Sequence, residues 1–303
     1  MPLQEKINRL KNLMYVRPEH PAIDFLEVDF SSAVDELVNK RKGKLFLNLY
    51  SSEEIIELFN EMGITEKILD IGFSNLEIVI SGDSPFDHRL RLYSKESKEQ
   101  SEKNLLMELV VKEGIFEPKK IFVEEFRVRS PRMLMIEWLG FQNPKAKFDE
   151  KRPRLPGQKF PGLGILMELE AVLARICKRI GYEGVIDVPE YYHGALMYSP
   201  KFFFYDPQMQ GMLGAMIRDF ANIPLDRAST AVLLRCVKNK ATGEFVEWSP
   251  GEQIMPVSEK MKKYFKSDGY HELMLKAMSE NSFVIDSEKL KKELSSEANK
   301  YVI

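Results

Sequence analysis

Gln158-Lys-Phe-Pro-Gly-Leu-Gly-Ile-Leu-Met-Glu-Leu-Glu-Ala-Val-Leu-Ala-Arg-Ile-Cys-Lys-Arg-Ile-Gly181 decides how this chain is read. Ile165, Leu166, Leu169, Val172, Leu173, Ile176, Cys177 and Ile180 recur at three- and four-residue steps, the period of an amphipathic helix. Lys178 and Arg179 fall in its last turn, where they complement the negative helix end, and Gly181 stops it. Just upstream, Pro156-Gly157 and Pro161-Gly-Leu-Gly164 form a loop whose backbone can bend tightly. Its N–H groups, with those of the helix's first turn, can converge on one point beside a positive helix end. Such a point suits an anion, and phosphate best. The plainer alternative is that Gly157, Gly162 and Gly164 only shape a turn.

Working outward, Val185–Val188 reads as a short strand, Glu190–Tyr198 as a short helix and Lys201–Tyr205 as an aromatic strand. Before the loop, the period changes to two. Asn75–Ser81, Arg89–Tyr93, Asn104–Lys112 and Arg132–Leu139 read as successive strands, the last two apolar enough to be interior. Phe122–Val128 is either a further strand or a loop. Lys44–Tyr50 reads as a strand leading into a helix capped by Ser52 and stopped by Gly63. Two amphipathic helices, Gln4–Met14 and Ser32–Lys40, occupy the first 44 residues. Past Asp206, helices are expected at Gln208–Phe220, Asp226–Cys236, Ser258–Phe265, Tyr270–Ser279 and Ser287–Lys300, with Ala241–Trp248 as one side of a hairpin. The pattern predicts an α/β (α+β) fold with a mixed, mostly antiparallel central sheet flanked by helices. It divides into a helical segment 1–44, a sheet domain 45–205 and a mainly helical region 206–303.

Composition narrows the function. The chain has 303 residues, 44% of them hydrophobic, with 19 Phe, 11 Tyr and 15 Met, which excludes disorder as the dominant state. A net charge of −2 argues against a polycation built for nucleic acid or an anionic membrane. The local run Lys145, Lys147, Lys151, Arg152, Arg154 and Lys159, against Asp149 and Glu150, either attracts a polyphosphate ligand or forms a solvated loop. Cys177 and Cys236 cannot build a disulfide framework, and His20, His88, His193 and His271 lack metal-ligand spacing, so no metal is expected. Met1–Leu10 is polar and amphipathic rather than signal-like, and no 18-residue apolar run occurs. These features predict a reduced, cytoplasmic protein without a membrane span. Neither GxxxxGK[ST] nor a GxGxxG after a strand is present.

The succession of strand, glycine turn, amphipathic helix, short strand, short helix ending in Tyr and aromatic strand resembles the GNAT superfamily of acyl-CoA-dependent N-acyltransferases. That family's phosphate loop, [Gln/Arg]-x-x-Gly-x-[Gly/Ala], looks like Lys159-Phe-Pro-Gly162-Leu-Gly164, with Gln158 matching if one residue is inserted. Its later signature, Asn-x-x-Ala-x-x-x-Tyr-x-x-x-Gly-Phe, looks like Tyr191 to Phe203. Tyr198 and Phe203 align, while Tyr191 and Phe202 stand where the family has Asn and Gly. The resemblance is best over residues 132–205, and Phe141 to Arg154 forms an extra loop before the phosphate turn.

The resemblance implies transfer of an acyl group from acetyl-CoA or another acyl-CoA, a co-substrate, to an amine. Gln158, Lys159, Phe160, Gly162, Leu163, Gly164 and Ile165 would bind the coenzyme. A splayed strand, Met133–Leu139, would offer a backbone N–H to the thioester carbonyl. Tyr198 would protonate the leaving thiolate, since a phenol near pKa ~10 suits a thiolate of similar basicity. Glu137, alone in an apolar strand, is the candidate base; the alternative is that it points to solvent or pairs with Arg132. Cys177 is expected to pack in the core, and His193 to be structural, no partner being suggested by spacing. The alternative function is a non-catalytic GNAT-like module for ligand sensing or protein contact, and the basic loop leaves nucleic-acid binding as a third reading. The acceptor amine and the oligomeric state, a homodimer included, are left open by the sequence.

Overall fold

A computed structural model of the chain describes residues 25–26, 45–82, 86–95, 101–118, 120–123 and 130–296. The helices expected at Gln4–Met14 and Ser32–Lys40 lie outside the described residues, as do positions 124–129 and 297–303. The first half contains β1 (Phe25–Leu26), α1 (Ser52–Glu61), α2 (Ile64–Asp70), β2 (Leu76–Ser81), β3 (Asp87–Ser94), β4 (Leu105–Phe116) and β5 (Arg132–Phe141). The second half contains α3 (Leu166–Ile180), β6 (Gly184–Asp187), α4 (Tyr192–Tyr198), β7 (Phe203–Phe204), α5 (Pro207–Asp219) and α6 (Leu225–Leu233). It closes with β8 (Val237–Asn239), β9 (Gln253–Pro256), α7 (Glu259–Phe265), α8 (Asp268–Glu280), β10 (Phe283–Ile285) and α9 (Ser287–Ser295).

Strands β2 to β5 form the antiparallel ladder that the period-two pattern predicts. Its central strands alternate core and outer residues, with Met107, Leu109 and Val111 of β4 facing one way and Glu108 and Lys112 the other. β6 then joins β5 in parallel, and β9 and β7 complete the order β2-β3-β4-β5-β6-β9-β7, with β1 antiparallel against the end of β4. The fold is therefore a mixed α+β sheet, mostly antiparallel and flanked by helices. Residues 206–303 do not stand apart from it, because they return β9 between β6 and β7. Their two other strands, β8 and β10, pair with each other. Ala241–Trp248 forms no strand, meeting β8 through an isolated bridge between Lys238 and Phe245 and through turn hydrogen bonds to Asn239.

The strand expected at Lys44–Tyr50 is instead a tight turn closed by a bridge between Phe46 and Tyr50. Leu47 and Asn48 take left-handed backbone angles, φ 54° and 53°, and fold the chain back on itself. Leu47 compensates by donating its N–H to His88 Nδ1 at 3.1 Å. The cap of α1 is Ser51 rather than Ser52: its Oγ accepts from Glu54 N while Glu54 Oε2 accepts from Ser51 N. This reciprocal pair satisfies two otherwise orphaned donors.

Helices α1, α2 and α3 cover one face of the sheet. α3 buries Leu169, Val172, Leu173, Ile176 and Cys177 there, against Leu134, Ile136 and Val185. Each such side chain contributes roughly 1.5–3 kcal/mol relative to exposure. The opposite face packs Met133, Met135, Ile186 and Ile254 under α7 and α8. Tyr264 and Tyr270 donate their hydroxyls to the carbonyls of Tyr205 (2.7 Å) and Phe204 (2.6 Å), pinning β7 to these helices.

Gly184 marks where β5, β6 and β9 come closest. A Cβ there would lie 2.5 Å from Met255 O and 3.1 Å from Met133 Cε. Gly184→Ala is expected to cost about 1–3 kcal/mol by overpacking, read as a lower urea midpoint with an unchanged m-value. An unchanged midpoint would contradict this account of the central strands.

Candidate functional site

Three features meet at one end of the sheet: the glycine loop entering α3, the parting of β5 from β6, and a buried polar cluster under α4.

The loop is held at both ends. Gln158 donates its N–H to Leu155 O at 3.1 Å, and its side-chain Oε1 accepts from Leu155 N at 3.2 Å. Gln158 therefore stabilises the turn with the group that the resemblance assigns to the coenzyme. Pro161 O accepts from Asn143 N at 2.7 Å, tying the loop to the chain leaving β5. Gly157, at φ 78°, leaves room for Tyr191, whose hydroxyl would lie 3.0 Å from an added Cβ. Gly162 and Gly164 meet nothing within 4 Å of such an atom, and Gly164 sits at φ 72°. Lys159 pairs with Glu102 at 2.6 Å, an exposed pair that contributes little.

Beyond Pro161 the peptide nitrogens are bare. The N–H groups of Gly162, Leu163, Gly164 and Ile165, and of Leu166, Met167 and Glu168 in the first helical turn, have no acceptor among the described residues. Ile165 at the N-cap supplies no side-chain hydrogen bond. By contrast, α1, α5, α7, α8 and α9 are capped by Ser51, Asp206, Ser258, Ser267 and Asp286. The longest helix described, with 15 residues, is thus left open at its positive end.

β5 and β6 share only three rungs, Met133 with Gly184, Leu134 with Val185 and Met135 with Ile186. Past them β5 stays with β4 to Phe141, while β6 follows β9 through Asp187. Among the described residues, the β6-facing edge of β5 beyond Met135 consequently has no strand partner. A bulge in β5 between Ile136 and Trp138 leaves Glu137 out of register with β4.

Asp187 is the first β6 residue past the last shared rung. It lies on the α3 face with Val185, and its cross-strand neighbour on β9 is Gln253. Glu170 of α3 and Tyr198 of α4 share this face. Asp187, Glu170 and Gln253 are 7%, 3% and 0% exposed. Burial pushes the Asp187 carboxyl up to about 7, offset in part by the Val188 N–H. Burial also raises Glu170, opposed by Lys201, whose Nζ lies 3.2 Å from Glu170 Oε2 and donates to Met167 O at 2.9 Å. The Tyr198 phenol is held well above its ordinary range by burial and then by the charges of Asp187 and Glu170. Its ring packs on Phe202, 4.9 Å between centroids, and its hydroxyl has no hydrogen-bond partner among the described residues.

Glu137 is not brought to Tyr198. It pairs with Lys112 at 3.0 Å, and Lys112 alternates with core-facing Val111, so Glu137 occupies the opposite face of the sheet. His193 has a partner that sequence spacing did not suggest: its Nδ1 lies 2.7 Å from Ser229 Oγ, both residues buried. Desolvation lowers this imidazole to about 4, so it stays neutral. Cys177 is buried in the α3 interface, as its helical position predicts. Sequence reasoning passed over Asp187 and Glu170, although each left a trace. Asp187 is the one acid in an apolar strand, and Glu170 falls four residues after Leu166 and three before Leu173, within the apolar stripe.

A scan against protein-family models gives no match, and no curated protein sequence matches the chain. Among the described residues no group of three His, Cys, Asp or Glu side chains could hold a metal, and no helix is long and apolar enough to cross a membrane.

The raised Asp187 carboxyl has a consequence for stability. The folded chain keeps this proton to about pH 7, whereas an ordinary aspartate near 3.8 has already released it. Stability therefore falls as pH rises between those values and remains lowered above them. Asp187→Asn should gain stability over the parent from pH 4 to pH 8, by up to about 4 kcal/mol at ~1.4 kcal/mol per pKa unit. Urea midpoints of both proteins across this range check it, the His193 contribution being common to the two. An advantage that does not grow with pH would contradict the assignment.

Proposed function

We propose that this protein is an acyl-CoA-dependent N-acyltransferase of GNAT type, using an acyl-CoA thioester and an amine. One observation carries the reading: a glycine loop and an uncapped helix leave seven consecutive peptide N–H groups, Gly162 to Glu168, without acceptors among the described residues, beside the parted β5 and β6. Unengaged N–H groups at a positive helix end complement a pyrophosphate, and the space around Gly162 and Gly164 admits close approach. The order of elements around them is the one that the resemblance implies.

When bound, the thioester supplies the activated acyl group. The 162–168 amides hold and orient its phosphates, and the edge of β5 past Met135, which no described strand pairs on the β6 side, offers backbone N–H groups to a carbonyl oxygen where negative charge develops. Tyr198, protonated throughout the neutral range and coupled electrostatically to Asp187 just past the last shared rung, is the proton donor. Asp187 titrates near neutrality on the same face, which suits a proton acceptor better than Glu137 across the sheet. The height of the Tyr198 pKa favours a second reading, a module that binds the coenzyme without transferring from it, because such a phenol gives up its proton reluctantly.

Isothermal titration with acetyl-CoA and longer acyl-CoAs tests the binding step. Saturable heat is expected, and none with any thioester, from folded protein, would end the proposal. Tyr198→Phe should then lower turnover at least tenfold while leaving thioester affinity within about twofold. Tight binding with no transfer to any amine would establish the second reading.

A further inference from the structure

The buried cluster under α4 leaves two acceptors unengaged among the described residues. Gln253 spends its amide donor on Ala195 O at 3.2 Å, and its Oε1, fully buried, has no partner. Glu170 uses Oε2 for Lys201, while its buried Oε1 also has none. An unpaired acceptor in the interior costs about 1–3 kcal/mol; the Tyr198 hydroxyl can donate to one of these two at most, so among the described residues the other calls for a donor supplied from outside the chain. The register fixes their common orientation. Gln253 and Met255 share one face of β9, Asp187 and Val185 share the matching face of β6, and Met255 and Val185 belong to a single core cluster. Asp187 and Glu170 both raise the Tyr198 phenol electrostatically, so both carboxyls lie within electrostatic reach of its hydroxyl.

We infer that Gln253 Oε1, Glu170 Oε1 and the Asp187 carboxyl form the subsite that receives the acceptor substrate as a primary ammonium group. The chemistry of the three acceptors selects the ligand. An ammonium presents three N–H donors and one positive charge, whereas a hydroxyl presents one donor and no charge. Lys201 neutralises one carboxylate through Glu170, leaving Asp187 to balance the incoming cation. A cation seated there also offsets the two negative charges that bear on Tyr198. The inference rests on the transferase reading for its biological sense, but it makes a claim about amine binding that stands without a thioester.

Binding of benzylamine and of its neutral isostere benzyl alcohol to the whole chain, followed by saturation-transfer NMR without coenzyme at pH 8, tests it. Saturable benzylamine binding is expected, with no binding of the alcohol. Asp187→Asn and Glu170→Gln should each weaken benzylamine at least tenfold, and the Asp187 variant, expected to be the more stable protein, guards against loss of fold as the cause. No saturable amine binding, or equal binding by parent and both variants, overturns the subsite. Amine binding that depends on these residues in a chain that binds no acyl-CoA would keep the subsite and remove the transferase reading. Turnover with an amine KM unchanged in both variants would do the reverse.

Discussion

The positive end of α3 is the constraint around which the site is arranged. A helix leaves its first N–H groups without intrahelical partners, and proteins ordinarily satisfy them with a cap. Among the described residues, five other helices are capped by Ser or Asp, whereas α2, α4, α6 and α3 have no side-chain cap, and α3, opening with Ile165, is the longest of them. Two further glycines keep the preceding amides unshielded. The cost is tolerated because α3 is anchored elsewhere: Leu169, Val172, Leu173 and Ile176 are buried against the sheet, and Gly181 closes the far end in a left-handed conformation. Stability is supplied by the apolar face, which leaves the N-terminus free for other use.

The parting of β5 and β6 follows from the other strands. β5 is committed to β4 along its whole length, with one bulge, while β6 is drawn toward β9, which returns from the C-terminal third. Three rungs are all that the divergence permits. Asp187 sits where the shared ladder ends, and its carboxyl is buried without, among the described residues, the charge partners that usually accompany a buried acid. Packing on the far face, through Tyr264 and Tyr270, fixes β7 and thereby the floor beneath α4.

Much of this was legible from local pattern. The stripe of α3, its glycine stop and the antiparallel ladder each depend on residues within a few positions of one another, and the hydrophobic period records them directly. Non-local pairings are invisible to that period. Nothing in Gln253–Pro256 announces that it inserts between β6 and β7, and nothing in Lys44–Tyr50 marks Leu47 and Asn48 as left-handed. Glu137 looked like a base because it stood alone in an apolar strand, but only the register against Lys112 tells which face it occupies. Asp187 carried the same local signature, and burial on the α3 face sets the two apart.

The account turns on the nitrogens that no described residue engages. Selective 15N labelling of glycine during titration with coenzyme A reads Gly162 and Gly164 directly. Both resonances should move together and saturate at one affinity, while Gly243, in a distant turn, stays still. Stationary Gly162 and Gly164 signals in the presence of saturating coenzyme would mean that the open end of α3 is architecture alone.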